Sequence, residues 1–546
     1  EMPRKKPFSN KQKKAQLQLK RQKKKQPAKE SDERIESVIN LHDNIEQQDN
    51  PPPKKKEPDN RGRGRNLKKV PGDLRTVFEP ESHVVINQRK RDSEIPIKKG
   101  LEAELRKKDI ELYSTIIDIP KRPEWNSTMS AEEVEKNEEK YFEEWLRDVY
   151  KFSRTRLNYF EHNLEVWRQL WRVCEMSDIL VLVADIRHPL FHFPPSLYKY
   201  VTEYHKKPLI LLLNKIDLVA KERIEIWTEY FKETYPHLHV IPFSTHTELK
   251  HVHDEFTVKH KRLKKGKLSH RYLGARGGAG LIDAICQLGF PDSEPLTQEE
   301  IEQFEYHPPE EKESKMESNY QQPPKYQSIS KNKTTDMDED SDEEDEEEEE
   351  EMISNFQARQ KSKEIEKESK NRRGERNYIV IGMIGHPNVG KSSLINGMKR
   401  KKVVSTSRTP GHTKHFQTIF LTDKICLCDC PGLVFPALDM KKELQVLCGL
   451  FPIAQVREPY SSIRYLAERV RIEEIYKLDP PPDDRDEYNR NTYPWSGWNI
   501  AQCLAIKKGY RSKGGRENAY RAGLEILKDA LDGVIVLAFD PPSKAE

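Results

Sequence analysis

The sequence predicts an α/β fold: a phosphate-loop domain on a buried parallel sheet, joined to a mostly helical C-terminal domain and to disordered charged segments. Three observations carry this. An apolar run ends in Gly385-His386-Pro387-Asn388-Val389-Gly390-Lys391-Ser392 and gives way to Ser393-Leu394-Ile395-Asn396, the strand–loop–helix context a phosphate loop requires. A second apolar run ends in Asn214-Lys215-Ile216-Asp217, a guanine-selecting pattern, and it precedes the phosphate loop instead of following it. Between the two halves lies a stretch too charged and aperiodic to bury a core. The halves of one nucleotide site are therefore exchanged along the chain, a circularly permuted order.

Composition narrows the rest. Of 546 residues, 34% are charged and 35% hydrophobic, and the net charge of +4 averages segregated blocks. Residues 1–30 hold twelve Lys/Arg against two Glu, whereas 336–351 are acidic except for Met337 and Ser341. Seven cysteines in a chain this long are not a disulfide framework. Cys426, Cys428 and Cys430 alternate with apolar residues, so they predict a strand and not a zinc site, and a reducing intracellular setting follows. No apolar stretch approaches a membrane span, and the charged start is unlike a signal peptide. Met2 behind Glu1 predicts a natural start at residue 2.

Taken in order, residues 1–100 read as a basic, disordered arm, and 101–172 as a helical lead-in ending with Leu164, Trp167, Leu170 and Trp171 at amphipathic spacing. The first half of the nucleotide domain, 173–290, holds short apolar runs at 179–184, 208–213 and 240–243. Such runs suit strands covered on both faces. A basic, His-rich insertion at 246–277 precedes a helix start at 280–285. Residues 291–372 form an acidic linker. The second half, 373–440, brings strands at 378–384, 419–421 and 425–427, and 441–546 is mostly helical with a final strand at 534–539.

The motifs assign the chemistry. Backbone N–H groups of residues 385–390 and of the helix N-terminus opened by Ser392 and Ser393 would cradle phosphates. Lys391 would neutralise β/γ oxygens, and the Ser392 hydroxyl would ligate Mg²⁺. Asp429-Cys430-Pro431-Gly432 closes a strand; Asp429 is the second Mg²⁺ partner and the Gly432 N–H can meet a γ-phosphate. The polar segment 405–413 fits a switch loop, with Thr413 preferred over Thr409 as the metal-binding hydroxyl. The Asp217 carboxylate can accept two hydrogen bonds from guanine, which adenine does not offer, and Asn214, Lys215 and Ile216 complete that loop. Phe243-Ser244-Thr245 is the candidate for backbone contact to the base. GTP and GDP are the implied ligands. Leu433 stands where a Ras-like switch carries its water-orienting Gln, which predicts slow intrinsic hydrolysis.

The motif order, Asp185-Ile186-Arg187-His188-Pro189, the 159–163 run Tyr-Phe-Glu-His-Asn, Pro410-Gly411-His412-Thr413 and Asp429-Cys430-Pro431-Gly432-Leu433 together resemble the circularly permuted GTPases that assist ribosome assembly. The resemblance covers about 150–290 and 373–546 with the start at residues 2–9, and leaves the two linkers out. It implies a P-loop GTPase domain used as a switch on rRNA or pre-ribosomal particles. It also implies that Asn388 can bind K⁺ and that His162 is a candidate substitute for the missing Gln. The expected contacts are the basic arm, 4–29, and a second cationic stretch of Lys507, Lys508, Arg511, Lys513, Arg516 and Arg521. A monomeric, nuclear or nucleolar protein is expected, with a GTP-dependent protein-binding adaptor as the competing reading. Because the Asp429–Gly432 switch runs directly into residues 441–546, nucleotide state is expected to reposition that domain.

Overall fold

The computed structural model describes residues 78, 81–108, 117–126, 128–152, 156–245, 275–289, 296–306, 378–404, 416–484, 486–512 and 514–542. The arm 1–30, most of the His-rich insertion, the acidic block 336–351 and the switch segment 405–415 with Thr409 and Thr413 lie outside them.

Among the described residues six strands form one sheet: β1 (Ile179–Asp185), β2 (Leu209–Asn214), β3 (His239–Pro242), β4 (Ile379–Ile384), β5 (Gln417–Phe420) and β6 (Ile425–Asp429), in the order β3-β2-β1-β4-β6-β5. The chain enters at the centre and walks outward to β3. It then returns to the centre at β4 to build the other side. Parallel pairing of β1 with β4, from Ile179↔Ile381 to Leu182↔Ile384, seams the two halves. Only β5 is antiparallel, paired with β6 as a hairpin.

The alternation of each strand feeds two cores. Leu180, Leu182 and Ala184 pack with Trp167, Leu170 and Trp171 of helix α3 (Leu164–Met176), and with Trp227 and Phe231 of α4 (Lys221–Thr234). Val181, Val183, Ile210, Leu212, Ile381 and Met383 face Leu281, Ile282 and Ile285 of α5 (Gly278–Gly289) and Leu394 and Ile395 of α6 (Lys391–Lys399). Burial on both faces is what unbroken apolar strands encode. Ahead of them α1 (His83–Ser93) and α2 (Ala131–Val149) stand on the same unit, and α2 opens with a Ser130/Glu133 capping box.

A third core belongs to the C-terminal helices: α7 (Lys442–Leu447), α8 (Tyr460–Ala467), α9 (Gly497–Lys508) and α10 (Ala519–Leu531). Ile463, Leu466, Trp495, Ile500, Leu504, Ile526 and Leu527 form its buried centre. Between the cores runs an unforeseen pairing. The N–H groups of Asn158 and Glu161 donate to Ala437 O and Val434 O at 3.1 and 3.0 Å, and Asp439 N–H donates to Arg156 O at 2.7 Å.

Three expectations are corrected. The final strand at 534–539 is an extended tail outside the sheet, its Phe539 N–H bonded to Arg187 O at 3.0 Å. Its apolar residues pack between the cores instead, Ala538 in one and Ile535, Leu537 and Phe539 in the other. The arm 1–100 is not disordered throughout: α1 is capped by Ser82 and places Lys90 4.8 Å from the centre of the Trp498 ring. The linker 291–372 begins with structure, since Leu296, Ile301 and Phe304 are buried and Glu305 accepts from Gly277 N–H at 3.0 Å. In both segments tertiary contacts override a polar composition.

Candidate nucleotide site

The phosphate loop is the six-residue turn 385–390 between β4 and α6. Backbone geometry explains its glycines: Gly385 and Gly390 have φ of 137° and 103°, and a Cβ on Gly390 would sit 2.3 Å from Asn214 Nδ2. That close approach is the joint between the exchanged halves, because Asn214 Nδ2 donates to Val389 O at 2.7 Å. Asn388, at φ 59°, turns its amide outward to donate to Gly449 O at 2.7 Å, a contact with the C-terminal unit. This contact fixes the Asn388 amide independently of any ion.

Lys391 is buried and folds back over its own loop, its Nζ 3.0 Å from Gly385 O and 2.6 Å from His386 O. Burial lowers its pKa to about 8, against the pull of Asp429. Ser392 Oγ donates to Asp429 Oδ2 at 2.9 Å. Burial pushes the Asp429 carboxyl up to about 6, and its Oδ1 is buried without a hydrogen-bond partner. A hydroxyl and a carboxylate with an orphaned oxygen fit a hard divalent cation, as Mg²⁺ would be. Gly432 lies against the loop: a Cβ there would stand 2.6 Å from Pro387 Cα, so only glycine brings the two segments this close. Cys430 and Leu433 are buried, with the Leu433 N–H 3.3 Å from Gly385 O and burial raising the Cys430 thiol to about 12. Pro431 completes that turn.

At the guanine loop Lys215 is left-handed at φ 65°, and Ile216 N–H donates to Phe243 O at 3.3 Å. Asp217 is buried, and its Oδ1 accepts from Ser244 Oγ at 2.5 Å. Ser244 thus holds the Asp217 carboxylate through its side chain, a contact the sequence did not point to. His162 packs its ring 4.3 Å from that of Phe160 and lies 3.5 Å from the Tyr150 hydroxyl. It follows Glu161, whose N–H reaches Val434, two residues past Gly432.

Sequence reasoning had no role for Asp185 and Arg187. Asp185 accepts from Arg187 Nε at 3.1 Å and Nη2 at 2.8 Å, and lies 2.9 Å from Lys215 Nζ. Their spacing at a strand end beside the guanine loop was the available signal. In the cationic C-terminal stretch, Lys507 Nζ donates to the carbonyls of Tyr476 and Lys477, each at 2.8 Å, and Lys508 pairs with Glu525 at 3.3 Å.

A mostly parallel sheet of this order, a phosphate loop and a guanine loop joined through Asn214 define a phosphate-loop GTPase with circularly permuted topology. A family model described as 50S ribosome-binding GTPase matches residues 380–459. Guanine nucleotide-binding protein-like 1 of Mus musculus and of Homo sapiens are each 37% identical over 87% of this chain and 74% of the relative. The Large subunit GTPase 1 homolog of Bos taurus is 31% identical over 78% of this chain and 67% of its own. Two solved structures, GDP-bound TM YlqF and GNP-bound YlqF from T. maritima, cover 69% and 70% of this chain and all of theirs. They do so at 14% identity and TM-scores of 0.31 and 0.33. The chain belongs to the guanine nucleotide-binding protein-like 1 family of circularly permuted GTPases.

Proposed function

We propose that this GTPase works as a switch in ribosome assembly, in which GTP loading sets how the C-terminal unit is presented to rRNA or a pre-ribosomal particle. One observation carries the reading: the switch turn 429–432 continues straight into the segment that walls the C-terminal core, with Val434, Ala437 and Met440 buried in it. A shift of Gly432 toward a γ-phosphate therefore acts on the C-terminal unit without an intervening element. The matching family, 50S ribosome-binding GTPase, and a relative named Large subunit GTPase 1 homolog support the ribosomal direction.

In this reading Lys391 leaves the Gly385 and His386 carbonyls for the β/γ oxygens, and the loop N–H groups take the phosphates. Asp217, held by Ser244, selects guanine. Ser392 and Asp429, joined by Thr413, hold Mg²⁺, which when bound neutralises phosphate charge. K⁺ would act beside Asn388. With Leu433 buried after the switch turn, no side chain at that position orients water, so turnover is slow until a partner supplies the group. The basic arm 4–29 gives salt-dependent affinity for RNA and addresses the chain to the nucleus or nucleolus.

The test is steady-state GTP turnover in K⁺ buffer with and without purified ribosomal subunits, beside Asp217→Asn. Stimulation of at least about tenfold by one subunit, lost in the variant, is expected from groups of this kind. A slow, unresponsive rate with either subunit removes the ribosomal role and leaves the protein-binding adaptor.

A further inference from the structure

Both halves of the nucleotide site meet the C-terminal unit at the same place, the C-terminal end of α10. The guanine half reaches it through a chain of charges. Lys215 of the base-reading loop pairs with Asp185, which Arg187 grips with two guanidinium nitrogens and with its own N–H at 3.0 Å. Arg187 then donates across the interface, from Nη1 to Ala530 O at 2.9 Å and from Nη2 to Leu531 O at 3.4 Å. Those carbonyls belong to the last turn of a helix, where the dipole favours a cation; Ala530 O also accepts from Gly533 N–H at 3.3 Å. The Asp185 and Arg187 side chains are 4% and 3% exposed, so water does not screen the chain.

Two further contacts converge on this end. Leu218, next to Asp217, abuts the turn after α10: a Cβ on Gly533, at φ 73°, would lie 2.7 Å from Leu218 Cδ1. From the phosphate half, Asn388 holds Gly449, and a Cβ on Gly449 would lie 2.7 Å from Leu531 Cδ1. The covalent path through 433–440 is thus not the sole connection between nucleotide and C-terminal unit.

We propose that Arg187 is a positioning residue that couples occupancy of the guanine loop to seating of the end of α10, so that a guanine nucleotide and the C-terminal unit stabilise each other's docking. Arg187 does not touch the base; it fixes the carboxylate that fixes Lys215. Coupling of this kind is reciprocal: whatever GDP does to α10, seating α10 does to GDP affinity. The proposal rests only on guanine-nucleotide binding and is independent of the ribosomal reading.

The experiment is amide hydrogen exchange of the full-length protein with and without saturating GDP, with GDP affinity measured by titration of a fluorescent GDP. In the wild-type chain GDP is expected to slow exchange over 529–539. Unchanged exchange there, with GDP bound, overturns the proposal without any variant. In Arg187→Gln, GDP affinity is expected to fall about tenfold, within the range typical of site-to-site coupling, and the protection at 529–539 to disappear. Arg187→Lys keeps one charge but cannot bridge Asp185 and two carbonyls, so it is expected to fall between the two. A weakened but folded Arg187→Gln that retains full GDP-dependent protection would assign Arg187 a merely structural role. Should that variant not fold, Leu218→Ala and the wild-type measurement decide. Loss of GDP binding by the wild-type chain itself would count against the nucleotide site and not against this joint.

Discussion

At the residue scale, the contact that most needs testing is Ser244 on Asp217. In the proposed reading the buried Asp217 carboxylate accepts from two guanine donors and must not reorient, and the 2.5 Å bond from the Ser244 hydroxyl holds it. Hydrogen bonds to charged groups contribute about 1.5–3 kcal/mol. Ser244→Ala is therefore expected to weaken GDP and GTP alike by at least about tenfold, since about 1.4 kcal/mol is a factor of ten and Ser244 bonds the guanine-loop carboxylate, not the phosphate loop. Fluorescent-nucleotide titration checks this, and an unchanged affinity or an effect on GTP alone would sink it. The comparison of Ser244 with Asp217 also shows what a sequence discloses. Asp217, Lys391, Ser392 and Asp429 stand out in the sequence because each sits at a short, fixed spacing inside a motif. Ser244 was placed near the base, but its bond crosses from one strand end to another, and neither spacing nor composition records that. The same holds for Asn388, whose partner Gly449 belongs to another core.

At the scale of elements, the buried strands were readable because apolar runs ending in glycine or polar turns have few alternatives, and β1, β2, β4 and β6 fall on those runs. The tail 534–539 has the same local pattern, yet its partners are Arg187 and Trp227, whose Nε1 donates to Phe539 O at 3.0 Å. Which apolar run joins a sheet depends on the partners the whole fold brings to it, not on the run itself. The pairing of 156–161 with 434–439 was equally hidden, since neither segment alternates. Asn158 is its pin: Nδ2 donates to Phe435 O at 2.9 Å and Oδ1 accepts from Ala437 N–H at 2.9 Å. Asn158→Ala leaves a buried carbonyl and a buried N–H unpaired, which costs about 2–3 kcal/mol. Chemical denaturation should show that loss, and limited proteolysis should find new cleavage within 433–440. A wild-type melting profile in the variant would mean the segment is held by other contacts.

At the scale of the molecule, the packing around the phosphate loop predicts how the fold responds to acid. His188, His192 and His386 are buried together, with ring centres 6.3 Å apart for His188 and His192 and 5.5 Å apart for His192 and His386. Phe191, Phe435 and Phe539 wall them; Arg187 and Lys215 are the cations near His188 and His192, Lys391 is the cation near His386, and Asp185 is the opposing charge. Burial lowers the pKa of His188 and of His192 to about 3, and that of His386 well below its ordinary value. An unfolded chain would protonate all three near 6.5. A depressed folded pKa means that the stability tied to these groups is complete above pH 6.5 and drains away as pH falls toward 3. The slope is about 1.4 kcal/mol per pH unit for each histidine. Stability measured by denaturant titration is therefore expected to be level from pH 7 to 8 and to fall steeply below 6.5. Saturating GDP should raise the whole curve without flattening it, because ligand linkage adds to the folded state while the histidines stay buried. His192→Phe keeps a ring in the aromatic wall and removes one titrating group. It should lower stability at pH 7, where the 3.1 Å bond between His192 Nδ1 and His188 O is lost, yet shallow the acid limb by one histidine's slope. An acid limb of unchanged steepness in that variant would show that His192 takes up its proton in the folded state, and that the wall behind the phosphate loop admits water.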